Sequence, residues 1–243
     1  MHRFKKWGWG LGIATVTAVT AFGVASWSAN AAPTPAPTGA AGEQARVSDP
    51  KPVPEAVSGV GNDALTTDEV GRARKAALTP ALAGRAEDVT GAGGPEYLSS
   101  EVLADGDGRR AEVYYYDYAS DELVKQVVDT ASGKVVGSYR AKGLQPAASR
   151  REVATGLDLL LADPLGGQLK DAYAKATGRA FAGKDDVTVT AHVYRAKPAD
   201  SGAEKCGQHR CLQLVVQADA DGKFVDVNDI IIDLSGRTVA RLS

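Results

Sequence analysis

The chain is poor in the residues that most often carry site chemistry. Its 243 residues include two cysteines, one methionine, three histidines and three tryptophans. Trp7, Trp9, Trp27 and Met1 all fall in the first 31 residues, and beyond them only His192 and His209 remain of the histidines. Neither has a His-Glu-x-x-His or Gly-x-Ser-x-Gly context, which argues against zincin and nucleophile-elbow chemistry. A basic excess is also missing. Without residues 1–31 the chain has 25 bases against 30 acids, a charge of −5. That balance gives no electrostatic footprint for nucleic acid or anionic membrane.

A long uncharged run occurs once, from Trp7 to Trp27, behind Arg3, Lys5 and Lys6 and ahead of Ala29-Asn30-Ala31. Residues 1–31 are therefore expected to be a Sec-type signal peptide, cleaved after Ala31, with the product secreted. Membrane attachment would require that segment to be retained. Residues 32–64 hold six of the eleven prolines among Ala, Thr, Gly and Ser, and are expected to form a disordered linker.

From residue 65 onward the chain is patterned, and the pattern occurs twice. Thr66 with Glu69 and Ser149 with Glu152 each make a capping box, with apolar residues at helical spacing behind it. Each helical stretch gives way to strand-like runs: 96–104, 109–118, 123–130 and 134–140, then 187–195, 211–218, 224–234 and 237–242. The copies close on Val127-Val128-Asp129-Thr130-Ala131-Ser132-Gly133-Lys134-Val135 and Ile231-Ile232-Asp233-Leu234-Ser235-Gly236-Arg237-Thr238-Val239. The expected fold is α+β, with two tandem modules at 65–142 and 147–243. Each is a helical segment packed on one face of a four-stranded antiparallel sheet.

Candidate sites are few. Cys206 and Cys211, close together in an exported chain, are expected to form a disulfide. Their spacing around His209 matches no usual zinc signature. Tyr114, Tyr116 and Tyr118 share one side of a strand and form a candidate binding face; the alternative is that they pack against helix or sheet. Asp105-Gly-Asp107-Gly and Asp219-Ala-Asp221-Gly222 fail as calcium loops: aligned on the glycine, position one is Leu103 or Gln217 and position twelve Tyr114 or Asn228. They read as hairpin turns. No catalytic residue, metal site or cofactor is selected by these patterns.

Leu65-Thr66-Thr67-Asp68-Glu69-Val70, the pairing of Val113-Tyr114-Tyr115-Tyr116-Asp117-Tyr118 with the 127–136 segment, and Arg151-Glu152 through Leu159-Leu160-Leu161-Ala162-Asp163-Pro164 carry a family resemblance. They resemble the tandem N2 and N3 domains of copper amine oxidases over about 65–243. The resemblance implies two cystatin-like modules without the catalytic domain. Tyr116 stands in the place of the cofactor precursor tyrosine, but the preceding Asn is missing. Copper in that family also needs three histidines, including His-x-His, so the resemblance transfers a fold and no active residue.

The function expected from these readings is a secreted, non-catalytic binding protein, its partner a protein, peptide or cell-envelope polymer. The alternatives are an extracellular hydrolase with an unrecognised carboxylate site, a protease-inhibitor-like module of PepSY or cystatin type, and a small-ligand carrier with an apolar cavity.

Overall fold

Both capping boxes form, and each starts the first helix of a helix-then-sheet run. The computed structural model describes residues 54–104 and 108–242. The expected signal peptide, the linker up to residue 53 and the turn at Asp105–Asp107 lie outside the described residues. Thr66 Oγ1 accepts from Glu69 N (3.2 Å) while Glu69 Oε2 accepts from Thr66 N (2.9 Å), opening α1 at Thr67–Ala77. Ser149 Oγ accepts from Glu152 N (3.0 Å) and Glu152 Oε2 from Ser149 N (2.7 Å), opening α3 at Arg150–Ala162. Each box satisfies two amides that the helix itself leaves without partners.

A short α2, Pro80–Ala83, separates α1 from the first sheet, where residues 81–90 suggested a longer helix. The sheet is an antiparallel meander of β1 (Glu96–Ala104), β2 (Arg109–Asp117), β3 (Glu122–Asp129) and β4 (Lys134–Lys142) in spatial order 1-2-3-4. Side chains alternate between its faces. Ala111, Val113 and Tyr115 of β2 and Val124 and Val128 of β3 meet Ala73 and Ala77 of α1 in one core. Alanine on the helix side allows close approach, so the tyrosine beneath α1 is Tyr115, whose hydroxyl donates to Arg74 O at 3.0 Å.

The second helical layer adds α4, Gly166–Thr177, which ends at Gly178 in the left-handed region at φ 73°. Glycine reaches that conformation without a Cβ penalty and stops the helix. Beneath lie β5 (Val187–Tyr194), β6 (Cys211–Ala218), β7 (Phe224–Val225), β8 (Ile230–Asp233) and β9 (Thr238–Arg241). The single strand expected over 224–234 is thus two. Both pair with the same side of β6, but the register slips: Val216 faces Val225, while Gln213 faces Ile231. Three residues along β6 match six on its partner. Asp226 Oδ1 accepts from Asn228 N (3.3 Å) and Asn228 Nδ2 (3.0 Å), a local turn that competes with the ladder. The second sheet therefore has five strands, not four.

Its inward face carries Leu212, Leu214, Val216, Ile230 and Ile232 against Leu157, Leu160, Leu169 and Tyr173. At about 1.5–3 kcal/mol per buried large apolar side chain, this face supplies much of the driving force for the second half. The reverse face carries Cys211 and Ile231, covered by Ala203 and Cys206 from the 195–210 loop. The molecule is α+β, with helices on two antiparallel sheets. Among the described residues no helix is long and apolar enough to cross a membrane.

Candidate functional site: a cleft beside a buried ion-pair network

The second core does not stop at the second sheet. Val89, Tyr116 and Tyr118 of the first half are members of it. Tyr116 is 1% exposed and Tyr118 8%, and their rings meet edge-on at 4.9 Å. Tyr114 is half-buried, its hydroxyl donating to Glu112 at 2.6 Å. The open row expected of Tyr114, Tyr116 and Tyr118 is therefore not on the surface. The parity reading is right, but the face it selects is covered by the second half of the chain.

What these rings cover is polar. Arg210 and Glu152 are both 0% exposed. Arg210 Nε and Nη2 donate to Glu152 Oε1 and Oε2 at 2.5 and 2.9 Å. Its Nη1 and Nη2 also donate to the carbonyls of Pro146 and Ala147, each at 3.1 Å, and its face lies 5.0 Å from the Tyr116 ring centre. Tyr118 Oη donates to Glu152 Oε1 at 2.6 Å. Burial and the adjoining carboxylate push the Tyr118 phenol far above its usual range, so it remains a neutral donor. Taking two charges out of water costs several kcal/mol per ion, which this density of partners offsets.

The first half has a related arrangement. Glu69, the other capping-box acid, receives Arg109 Nε and Nη2, both at 2.9 Å. The Arg109 hydrogen bond outweighs burial and holds the Glu69 carboxyl down at about 2. Arg109 Nη1 and Nη2 also bind the carbonyls of Gly61, Asp63 and Ala64 at 2.8, 2.8 and 2.9 Å. The end of the segment expected to be disordered is thus tied to the first sheet, although residues 54–64 form no helix or strand.

Beside the network lies an open cleft of about 790 Å³. One wall is α1, through Arg74, Lys75 and Leu78. The floor is Gly94, Pro95, Glu96 and Tyr97, leading into β1. The far wall is the first turn of α3, with Ser149, Arg150 and Arg151. Arg74 stacks on Tyr97 with its guanidinium carbon 3.7 Å from the ring centre, a cation–π contact, and Tyr97 meets Tyr115 edge-on at 5.9 Å.

Two acids face four bases here. Asp88 accepts from Thr90 N, Thr90 Oγ1 and Ala92 N at 2.8, 2.7 and 3.0 Å and from Arg151 Nη2 at 2.6 Å. Burial raises its pKa, but these bonds together outweigh it and the net shift is downward. Glu96 goes the other way: burial dominates and pushes its carboxyl up. Its Oε1 accepts from Ser149 Oγ at 3.0 Å, whereas its buried Oε2 accepts no hydrogen bond and has Arg151 Nη1 at 3.6 Å. Lys75 and Arg150 are exposed and form no ion pair among the described residues. The cleft therefore carries an excess of positive charge on an acidic chain.

Cys206 and Cys211 are bonded, with S–S 2.10 Å and Cα–Cα 5.5 Å. Their loop is anchored to the connecting segment, as Gln145 Nε2 donates to Gly207 O (3.3 Å) and His209 O (3.0 Å). His209 Nδ1 lies 2.7 Å from Asp233 Oδ2, and His192 stands on β5 opposite Gln213. Among the described residues no group of three or more His, Cys, Asp or Glu side chains is placed to hold a metal ion, so a three-histidine copper site does not fit them. Glu96, Asp88, Arg74, Lys75, Arg150 and Arg151 were not among the sequence candidates. The signals available were the Arg150-Arg151 doublet and the Gly-rich break at 91–95.

No family model matches the chain, and no curated protein sequence does. Among solved structures it is similar to a copper-containing benzylamine oxidase from Hansenula polymorpha, with 12% identity and a TM-score of 0.45. The match covers 76% of this chain and 30% of that one, so the chain spans less than a third of that oxidase's length. No residue role is taken from it.

Proposed function

We propose that the chain is an exported, non-catalytic binding protein whose ligand site is the cleft between α1, β1 and the first turn of α3. The observation that carries this reading is that residues from both halves build one open, polar, positively charged depression of about 790 Å³. The buried pair of Arg210 and Glu152 is well suited to keep the walls in register, because Glu152 also caps the helix that supplies one of them. A site preorganised in this way loses little entropy on binding.

Export agrees with the Cys206–Cys211 bond, since disulfides persist in oxidising compartments. The N-terminal segment would direct export and be removed after Ala31. We further read the fold as two modules of the N2 and N3 kind, at 65–142 and 147–243. In each half a capping-box glutamate pairs with an arginine at the start of the sheet's second strand, Glu69 with Arg109 and Glu152 with Arg210.

A second reading, hydrolysis, draws on one specific feature. Asp88 and Glu96 both approach the Arg151 guanidinium, at 2.6 and 3.6 Å, and their pKa values move in opposite directions. Divergent carboxyl pairs are the usual arrangement for acid–base work. Asp88, however, is fully engaged in holding its own turn.

The test is affinity capture from culture medium and cell envelope with the full chain and with the exposed double variant Lys75→Glu/Arg150→Glu. Binding through the cleft predicts a partner recovered by the first and lost by the second. Turnover on a panel of glycoside, ester and peptide substrates, abolished by Glu96→Gln, would replace binding with hydrolysis.

A further inference from the structure

We infer that the cleft takes an extended acidic peptide segment, with a peptide N–H donating to Glu96 Oε2 and peptide carboxylates facing Lys75 and Arg150. The inference rests on the cleft being the binding site and adds the chemistry of its ligand.

Three observations converge on it. The first is the orphan acceptor. Glu96 is 2% exposed, its Oε1 is taken by Ser149, and its Oε2 accepts no hydrogen bond while lining the cleft. A buried acceptor left without a donor costs about 1–3 kcal/mol, which a ligand N–H would recover. The second is charge. Of the four bases here, Arg151 is occupied by Asp88 and Arg74 lies over Tyr97, leaving Lys75 on α1 and Arg150 on α3 to face each other across the opening. The third is the end of α3. The capping box satisfies the amides of Ser149 and Glu152, and the first-turn amides of Arg150 and Arg151 add partial positive charge on the same side.

The combination selects among anions. A polyphosphate chain offers acceptors only, and it would bring charge against Asp88 and Glu96 with no donor for Oε2. A peptide backbone supplies an N–H every residue, and acidic side chains supply the countercharge. Gly93 and Gly94, which present no side chain, leave room for a second backbone beside the floor.

The experiment is fluorescence anisotropy of the full chain with three labelled probes: a peptide alternating Glu and Ala, the same peptide with Gln for Glu, and inorganic polyphosphate. The Glu peptide should bind roughly tenfold more tightly than the Gln peptide at low salt, with the gap closing as salt rises. Lys75→Glu/Arg150→Glu should cost the Glu peptide ~10-fold or more. Glu96→Gln, which keeps an acceptor, should retain binding, and Glu96→Met should lose roughly tenfold. If Glu96→Met fails to fold, the exposed charge variants still decide the matter. Equal affinity for the Gln peptide that Glu96→Met removes would keep the cleft as a peptide site and overturn its acidic preference. Tighter binding of polyphosphate would overturn the peptide class. Glu-peptide binding untouched by every cleft substitution would overturn the cleft reading as well. No binding to any probe would overturn the ligand class alone, because capture tests the cleft with its native partner.

Discussion

Arg210 closes on Glu152 with two hydrogen bonds, 2.5 and 2.9 Å, and neither side chain reaches solvent. The two residues are 58 positions apart, and one of them also caps α3. Helix start, strand start and the covering rings of Tyr116 and Tyr118 thus share one buried carboxylate.

Removing one partner should be worse than removing both. Glu152→Gln and Arg210→Met each leave a buried group without its counterpart, and each should destabilise by about 3–5 kcal/mol. The double variant Glu152→Leu/Arg210→Met should recover part of that loss. Urea denaturation of the four proteins measures it; strictly additive losses would show that the pair is uncoupled.

The first-half pair gives a pH signature. Arg109 lowers the Glu69 pKa from 4.5 to about 2, so its contribution is present above the unfolded carboxyl value and lost as pH falls toward 2. Arg109→Gln should remove that contribution, flattening the part of the acid-stability slope that comes from Glu69. Stability measured from pH 5 down to pH 2 should show the variant losing less on acidification than the parent.

Two glycines in the second helical layer should respond oppositely to alanine. At Gly156 an added Cβ meets Leu212, Leu214 and Ile232 at 3.7, 3.7 and 3.9 Å, ordinary contact. Gly156→Ala should therefore stabilise by roughly 0.5–1 kcal/mol through helix propensity. At Gly166 the Cβ would stand 2.5 Å from Leu160 O, so Gly166→Ala should destabilise. Thermal melts separate the two.

Opening the Cys206–Cys211 ring should cost about 2 kcal/mol, the value for so short a loop. Cys206→Ala/Cys211→Ala should lower the urea midpoint by that amount. Because Arg210 lies inside the ring, the loss should grow in a Glu152→Gln background if the loop helps hold the pair.

Legibility in the sequence depended on range. The capping boxes, α4 ending at Gly178, the first meander and the disulfide are written in neighbouring residues, and all could be read there. The break in the lane after β6 was missed because Phe224, Val225 and Val227 continue an apolar alternation; the Asp226–Asn228 turn that interrupts it is a weaker signal. The tyrosines were assigned correct faces of their strand, but which face is covered depends on a core made by Leu157, Leu212 and Ile232, far along the chain. The cleft was invisible for the same reason. Lys75, Glu96 and Arg150 carry no mutual spacing, and only folding brings them together.

If the cleft is the binding site, the partner contacts it and not some other surface. A photo-crosslinking amino acid placed at Leu78, 43% exposed on the cleft wall, tests this in the secreting cell against the same group at Phe224, 67% exposed on β7. Cleft binding predicts a covalent adduct from position 78 that Lys75→Glu/Arg150→Glu abolishes, and none from position 224. An adduct from position 224 with none from position 78 would contradict it.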